Sequence, residues 1–129
     1  MAELAGQLGY PSSAEDIARR LAALNKSGDH VAFVAQTADG EIAGWIGAFV
    51  YRCVEADARV ETSGLVVDER FRSQSVGRAL LERAEAWARE KGCNTVSLRS
   101  NVIRERAHAF YEREGYVVTK TQKSFRKQL

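Results

Sequence analysis

The chain has one proline, one methionine and two cysteines in 129 residues. Cys53 and Cys93 are far apart and outside any paired CxxC motif. They predict free thiols in the cytoplasm rather than a disulfide or a metal site. No run approaches the roughly 18 apolar residues of a membrane span. The start, MAELAGQLGY, has no basic region leading into a long apolar core, so it does not read as a signal peptide. Neither sign of charge dominates: 19 basic against 17 acidic residues, net +2. That balance makes no case for nucleic acid, and the basic end (Lys120, Lys123, Arg126, Lys127) reads as a solvated strand face. Repeats, linkers, a Ser-His-Asp order and metal-ligand spacings are all missing. With 45% hydrophobic and 28% charged residues, the expectation is one globular domain over residues 1–129 with a real core.

The stretch 65–91, LVVDERFRSQSVGRALLERAEAWAREK, organises the rest. Leu65, Val66 and Val67 form a continuous aliphatic run, as in a strand buried on both faces. Residues 68–75 interrupt it with charge and hydroxyls. From Val76 the apolar residues return at helical spacing, through Leu80, Ala84 and Trp87, with Leu81 and Ala88 widening the stripe. Gly92 stands where a helix ends in a left-handed glycine. A strand passing through a short loop into a helix makes an anion site. The first helical N–H groups lack intrahelical partners and point at the loop, and the macrodipole adds positive charge there. Gly77 admits a ligand close to the backbone, Arg72 and Arg78 bring full charges, and phosphate or pyrophosphate is the natural guest. Ser75 is expected to cap the helix from ordinary backbone angles.

Around this stretch the chain reads as alternating elements. Residues 2–8 are partly helical and end at Gly9-Tyr10-Pro11. Ser12 with Glu15 has the spacing of a capping box and opens a helix to about Leu24. Residues 31–37 form a strand, Ala38-Asp39-Gly40 a hairpin turn, and residues 41–51 a second strand. Gly44 and Gly47 inside it predict a bulge or a close backbone approach. A third strand covers 59–67. After the long helix comes a strand over 94–100, which completes a right-handed βαβ unit. A helix from Val102 or Ile103 to Glu114 follows, then two strands over 116–121 and 123–127, or one strand and a tail.

Arg72-Ser73-Gln74-Ser75-Val76-Gly77 resembles the Arg/Gln-x-x-Gly-x-Gly/Ala loop of the GNAT superfamily of acetyl-CoA-dependent N-acetyltransferases, with Ser75 at the first glycine position. A second signature stands downstream: Asn101, then Ala107-His108-Ala109-Phe110-Tyr111-Glu112-Arg113-Glu114-Gly115-Tyr116. The element order is similar to that of the family over nearly the whole chain. The resemblance implies an α/β GNAT fold, a mixed central sheet flanked by helices. It also implies an acyltransferase that moves an acetyl group from acetyl-CoA, as cosubstrate and without a metal, to a primary amine. The acceptor is a small molecule, such as an aminoglycoside, or a protein. The alternative is a non-catalytic acetyl-CoA-binding module.

Transferred residue by residue, the resemblance implies that the amides of Arg72, Ser73, Gln74, Ser75, Val76, Gly77 and Arg78 hold the pyrophosphate. Val66 and Val67 would bond the pantetheine arm through their backbone. Asn101 would contact the same arm or the adenine half, or else cap the next helix. Tyr111 occupies the position of an acid that protonates the departing thiolate; the other reading is a core aromatic like Phe110. Glu61, eleven residues before Arg72, matches the base of the histone-acetylating branch. Ordered water as the base, with Glu61 an exposed strand carboxylate, stays open. His108 lies away from Tyr111, and His30 falls in a loop. Glu3, Glu15, Asp16, Glu55 and Asp57 are further acids on the acceptor side.

The family usually begins with one more strand, paired with the equivalent of 31–37. This sequence starts inside the first helix. An edge reading VAFVAQT, without charge or proline, is a template for another chain, and a homodimer is expected; the alternative is that residues 1–10 fold back as a short cover and leave a monomer.

Overall fold

The computed structural model describes residues 1–8 and 12–129. The expected break at Gly9-Tyr10-Pro11 lies outside the described residues. The chain falls into two compact units, Met1–Leu98 and Arg99–Leu129.

The first unit holds helices α1 (Ala2–Leu8) and α2 (Ala14–Asn25), strands β1 (His30–Gln36), β2 (Ile42–Tyr51) and β3 (Arg59–Val67), helix α3 (Val76–Glu90) and the short strand β4 (Val96–Ser97). The sheet order is β1-β2-β3-β4. The first two pairings are antiparallel and the last is parallel, so the sheet is mixed. Helix α3 packs on β1, β2 and β3, while α1 meets β3 and α2 meets β1.

The predicted apolar stripe of α3 is what it buries: Leu80, Leu81, Ala84, Trp87 and Ala88. Its end is a Schellman motif, with the Gly92 N–H on the Arg89 carbonyl and the Cys93 N–H on the Ala88 carbonyl and Gly92 at φ +75°. Helix α2 starts one residue later than expected. Ser13, not Ser12, is the N-cap, exchanging hydrogen bonds with Asp16. Two overlapping Ser-x-x-acid patterns compete in the sequence, and Ser12 instead receives a bond from Arg20 Nη1 at 2.7 Å.

Both strand glycines of β2 sit at close approaches. A Cβ on Gly44 would stand 2.6 Å from the Val66 carbonyl oxygen, and one on Gly47 would stand 2.6 Å from Ser63 Oγ. The ladders carry two irregularities: in β2, Ala35 pairs with Gly44 and Gln36 with Ile42, which leaves Ala43 beside Gly44 as an extra residue, and the other is in β3. Gly47 pairs with Gly64 and Ala48 with Thr62, which leaves Ser63 as the extra residue.

The second unit holds helix α4 (Glu105–Arg113). It begins later than expected because Asn101 makes a turn first: Asn101 Oδ1 accepts from the Ile103 N–H and its carbonyl accepts from Arg104. The strand expected over 94–100 shrinks to Val96–Ser97, and residues 116–121 and 123–127 form no strand. Val117, Val118 and Phe125 are exposed. Their β-prone character is not enough without a ladder neighbour, because strand propensity mostly measures packing on a sheet.

Candidate active site

Within the first unit the sheet opens into a fork. The β3–β4 ladder has two rungs, Val60 with Val96 and Glu61 with Ser97. Beyond Glu61, β3 continues to Val67 with no strand on that side among the described residues. The free edge includes Val66 and Val67, so their main-chain groups can bond an extended, amide-bearing ligand.

The free edge leads straight into the loop. Asp68 accepts from the Arg70 N–H at 2.9 Å and takes Arg70 Nη2 at 3.1 Å. The guanidinium also reaches Glu41 at 3.0 Å. These bonds hold the Asp68 carboxyl below the usual carboxylate range and raise Arg70. The turn over Glu69–Phe71 is thereby braced before the loop begins.

Ser73 and Ser75 take left-handed backbone angles, φ +65° and +63°. This corrects the expectation for Ser75, which is the N-cap of α3 by position but makes no side-chain cap bond. Left-handed Ser75 is followed by right-handed Val76, the first residue of α3, and successive residues of opposite handedness turn neighbouring N–H groups toward one concavity. The N–H groups of Ser73, Gln74, Ser75, Val76 and Gly77 have no acceptor among the described residues. The first turn of α3 carries no acid. Arg72 lies 3.9 Å from Glu69 and Arg78 3.1 Å from Glu82. Free donors, a helix dipole and two cations suit a pyrophosphate.

Glu61 stands at the fork. Its side chain is 7% exposed, and Arg59 Nη2 lies 3.9 Å from its Oε2. Cross-strand register puts His30, Phe49 and Glu61 in one row on one sheet face. His30, assigned to a loop by sequence, begins β1, stacks on Phe49 at 5.7 Å and has Nδ1 3.2 Å from Ser27 Oγ. Sequence reading passed over Arg59, although a spacing of two residues from Glu61 already puts both on one face. The other acids do not gather. Asp16 is held by Ser13 and Arg19, Glu15, Glu55 and Asp57 are exposed, and Glu3 lines a pocket of about 290 Å³ with Glu41, Asp68 and Arg70.

Asn101 and Tyr111 belong to the second unit. Asn101 is exposed, with its carbonyl 2.8 Å from His108 Nε2. Tyr111 packs between Phe110 and Tyr116, at ring distances of 5.3 and 6.1 Å. Burial pushes its phenol above the ordinary value, and the Arg104 guanidinium pulls the other way. The group is a protonated donor at neutral pH. Among the described residues no three His, Cys, Asp or Glu side chains gather as metal ligands, and no helix is long and apolar enough to cross a membrane.

The acetyltransferase (GNAT) family model matches residues 3–116. An aminoalkylphosphonate N-acetyltransferase of Salmonella typhimurium is 38% identical over 79 residues, 60% of this chain and 51% of that protein. An aminoglycoside N(6')-acetyltransferase type 1 of Stenotrophomonas maltophilia is 28% identical over 124 residues, 93% of this chain and 81% of that one. The match to the first of these thus spans about half its length. Among solved structures, AAC(6')-Iy in complex with a CoA-containing bisubstrate analogue superposes with a TM-score of 0.87 at 20% identity, covering 99% of this chain and 89% of that one. The fold is that of these proteins, and the chain belongs to the acetyltransferase (GNAT) family.

Proposed function

We propose that this protein is an acetyl-CoA-dependent N-acetyltransferase acting on a primary amine of a small molecule. The observation that carries the reading is the continuous track from the fork at Glu61, along the free edge of β3, to the unpaired amides of Ser73 to Gly77. An extended arm with amides of its own and a pyrophosphate at one end fits that track. The amides of Arg72 to Arg78 hold the pyrophosphate, Val66 and Val67 the arm, and the thioester comes to rest by Glu61. Asn101 adds a contact to the arm or the adenine half. Residues 1–129 then work as one catalytic domain.

The neutral amine nitrogen attacks the thioester carbonyl carbon, a C–N bond forms and the C–S bond breaks. Before attack the acceptor ammonium gives one proton to Glu61, directly or through water; the departing coenzyme thiolate takes a proton from Tyr111, and the proton shed by the acylated nitrogen returns Tyr111 to its neutral form through solvent. Relatives named for aminoalkylphosphonates and for an aminoglycoside amine support a small-molecule acceptor. The cytoplasm is the compartment that suits two free thiols, and the exposed edge of β1 suits a homodimer.

One observation favours a second reading, a coenzyme-binding module without turnover: two serines hold left-handed angles that glycine adopts at no cost. The test is thiol release from acetyl-CoA against grouped primary amines, with calorimetry of acetyl-CoA in parallel. Amine-dependent thiol release is expected. Coenzyme binding with no release for any amine selects the second reading, and absence of binding overturns both.

A further inference from the structure

Arg59 is held from three sides. Its Nε donates to Ser97 Oγ at 3.1 Å, across to β4. Its guanidinium carbon lies 4.3 Å from the Tyr51 ring centroid, across to β2. Its Nη2 stands 3.9 Å from Glu61 Oε2. The side chain is 29% exposed against 7% for Glu61. Stacking on a tyrosine and a single brace through Nε fix the plane of the guanidinium. Nη1 has no partner among the described residues. At 3.9 Å the contact with Glu61 is a long one, well short of the two parallel bonds an arginine makes with a carboxylate it is built to neutralise.

A fixed, partly open guanidinium beside the proposed base is a recognition element. We propose that Arg59 reads an anionic group on the acceptor, so that the substrates of this site are short zwitterions: primary amines with a carboxylate or phosphonate one to three carbons from the nitrogen. This inference rests on the acetyltransferase reading above. The chemistry is complementary. The acceptor ammonium lies against Glu61 and gives up its proton there, while the anion two residues along the same sheet face meets the Nη edge of Arg59. A step of two strand residues is about 7 Å, and the arginine leans back along it to within 3.9 Å of the carboxylate. The gap suits a short spacer and excludes an extended polycation, whose charge would face the guanidinium.

The probes are 2-aminoethylphosphonate and β-alanine, with ethylamine as the anion-free control and an aminoglycoside as the polycation. Wild-type protein is expected to show a KM for the two zwitterions at least tenfold below that for ethylamine. Arg59→Met should lower the preference for the zwitterions over ethylamine, read as the ratio of their KM values, by about 10- to 100-fold, the range of one charge-assisted hydrogen bond; an unchanged ratio overturns the proposal. Arg59→Lys should recover part of the loss. Ser97→Ala removes the brace and keeps the charge, and should keep most of the preference, whereas a merely structural role would depress all substrates together. Direct binding of 2-aminoethylphosphonate to protein loaded with coenzyme A thiol separates this proposal from the catalytic one. No saturable binding, or equal binding by wild type and a folded Arg59→Met, overturns it whether or not any amine is acetylated. Preferred turnover of the aminoglycoside overturns it and leaves the acetyltransferase reading standing.

Discussion

Ser75 carries a conformational cost at the centre of the proposed coenzyme site. An L-residue in the left-handed region loses about 1 kcal/mol relative to glycine, and Ser75 offsets none of it by capping. Ser75→Gly is expected to raise the melting temperature by a few degrees and to tighten acetyl-CoA in calorimetry, because the loop then holds its N–H groups inward without strain. A lower melting temperature would mean that the hydroxyl has a partner role the loop needs. Tyr111 acts at the same scale. Tyr111→Phe keeps the ring between Phe110 and Tyr116 and removes the proton donor. With chemistry rate-limiting, kcat should fall by about 10²–10⁴-fold with coenzyme affinity unchanged. An undiminished kcat would make Tyr111 a packing residue. Asp68 supplies the pH dependence. Its carboxyl is held low by hydrogen bonds from the Arg70 side chain and backbone. The stability it contributes is therefore complete above the ordinary carboxylate value, about 3.9, and is lost as pH falls through the lowered folded value. Asp68→Asn should destabilise the protein at pH 7 and flatten that acid limb in thermal melts from pH 7 to 2.

At the scale of elements, β2 and α3 are fitted together by the absence of side chains. A Cβ on Gly44 would meet backbone, the Val66 carbonyl oxygen at 2.6 Å, and Leu80 Cδ1 of α3 at 3.2 Å. The Leu80 methyl can turn aside, but the carbonyl cannot move without shifting the sheet, so Gly44→Ala should cost about 1–3 kcal/mol in denaturant unfolding. Gly47→Ala meets a serine hydroxyl that can rotate, so its stability loss should be smaller, and a reversed order would contradict the register at the Ser63 bulge. The N-terminus of α3 makes the sharpest functional prediction. Gly77→Asp places a carboxylate among the free amides of the loop, and a folded variant should lose acetyl-CoA binding. Retained binding would move the coenzyme elsewhere.

For the molecule as a whole, β1 is the exposed side of the sheet. Its outer edge has no strand neighbour among the described residues, and Val34 is 48% exposed. Phe33 faces the other way, under the Arg83 guanidinium at 4.4 Å, so a charge is better introduced at Val34. Light scattering over a range of concentrations should show a dimer that Val34→Lys weakens, since a lysine on an edge opposes strand addition. A wild-type monomer at high micromolar concentration would show that the edge is tolerated bare.

Local pattern was enough for the parts of this protein that depend on neighbours in sequence. The stripe of α3, its terminal Gly92, the hairpin at residues 38–40, the loop of Arg72 to Arg78 and the family all follow from residues within a few positions of one another, because helix faces, caps and turns are decided there. What depends on strands meeting was not legible. That a second extra residue is Ser63 in β3, opposite Gly47, that the β4 ladder stops after two rungs, that residues 116–121 join no ladder, and that Arg59 is clamped between Tyr51 and Ser97 are outcomes of register. Register is set by packing between segments far apart in the chain, where β-propensity says only that a segment can pair and the tertiary fold supplies the partner.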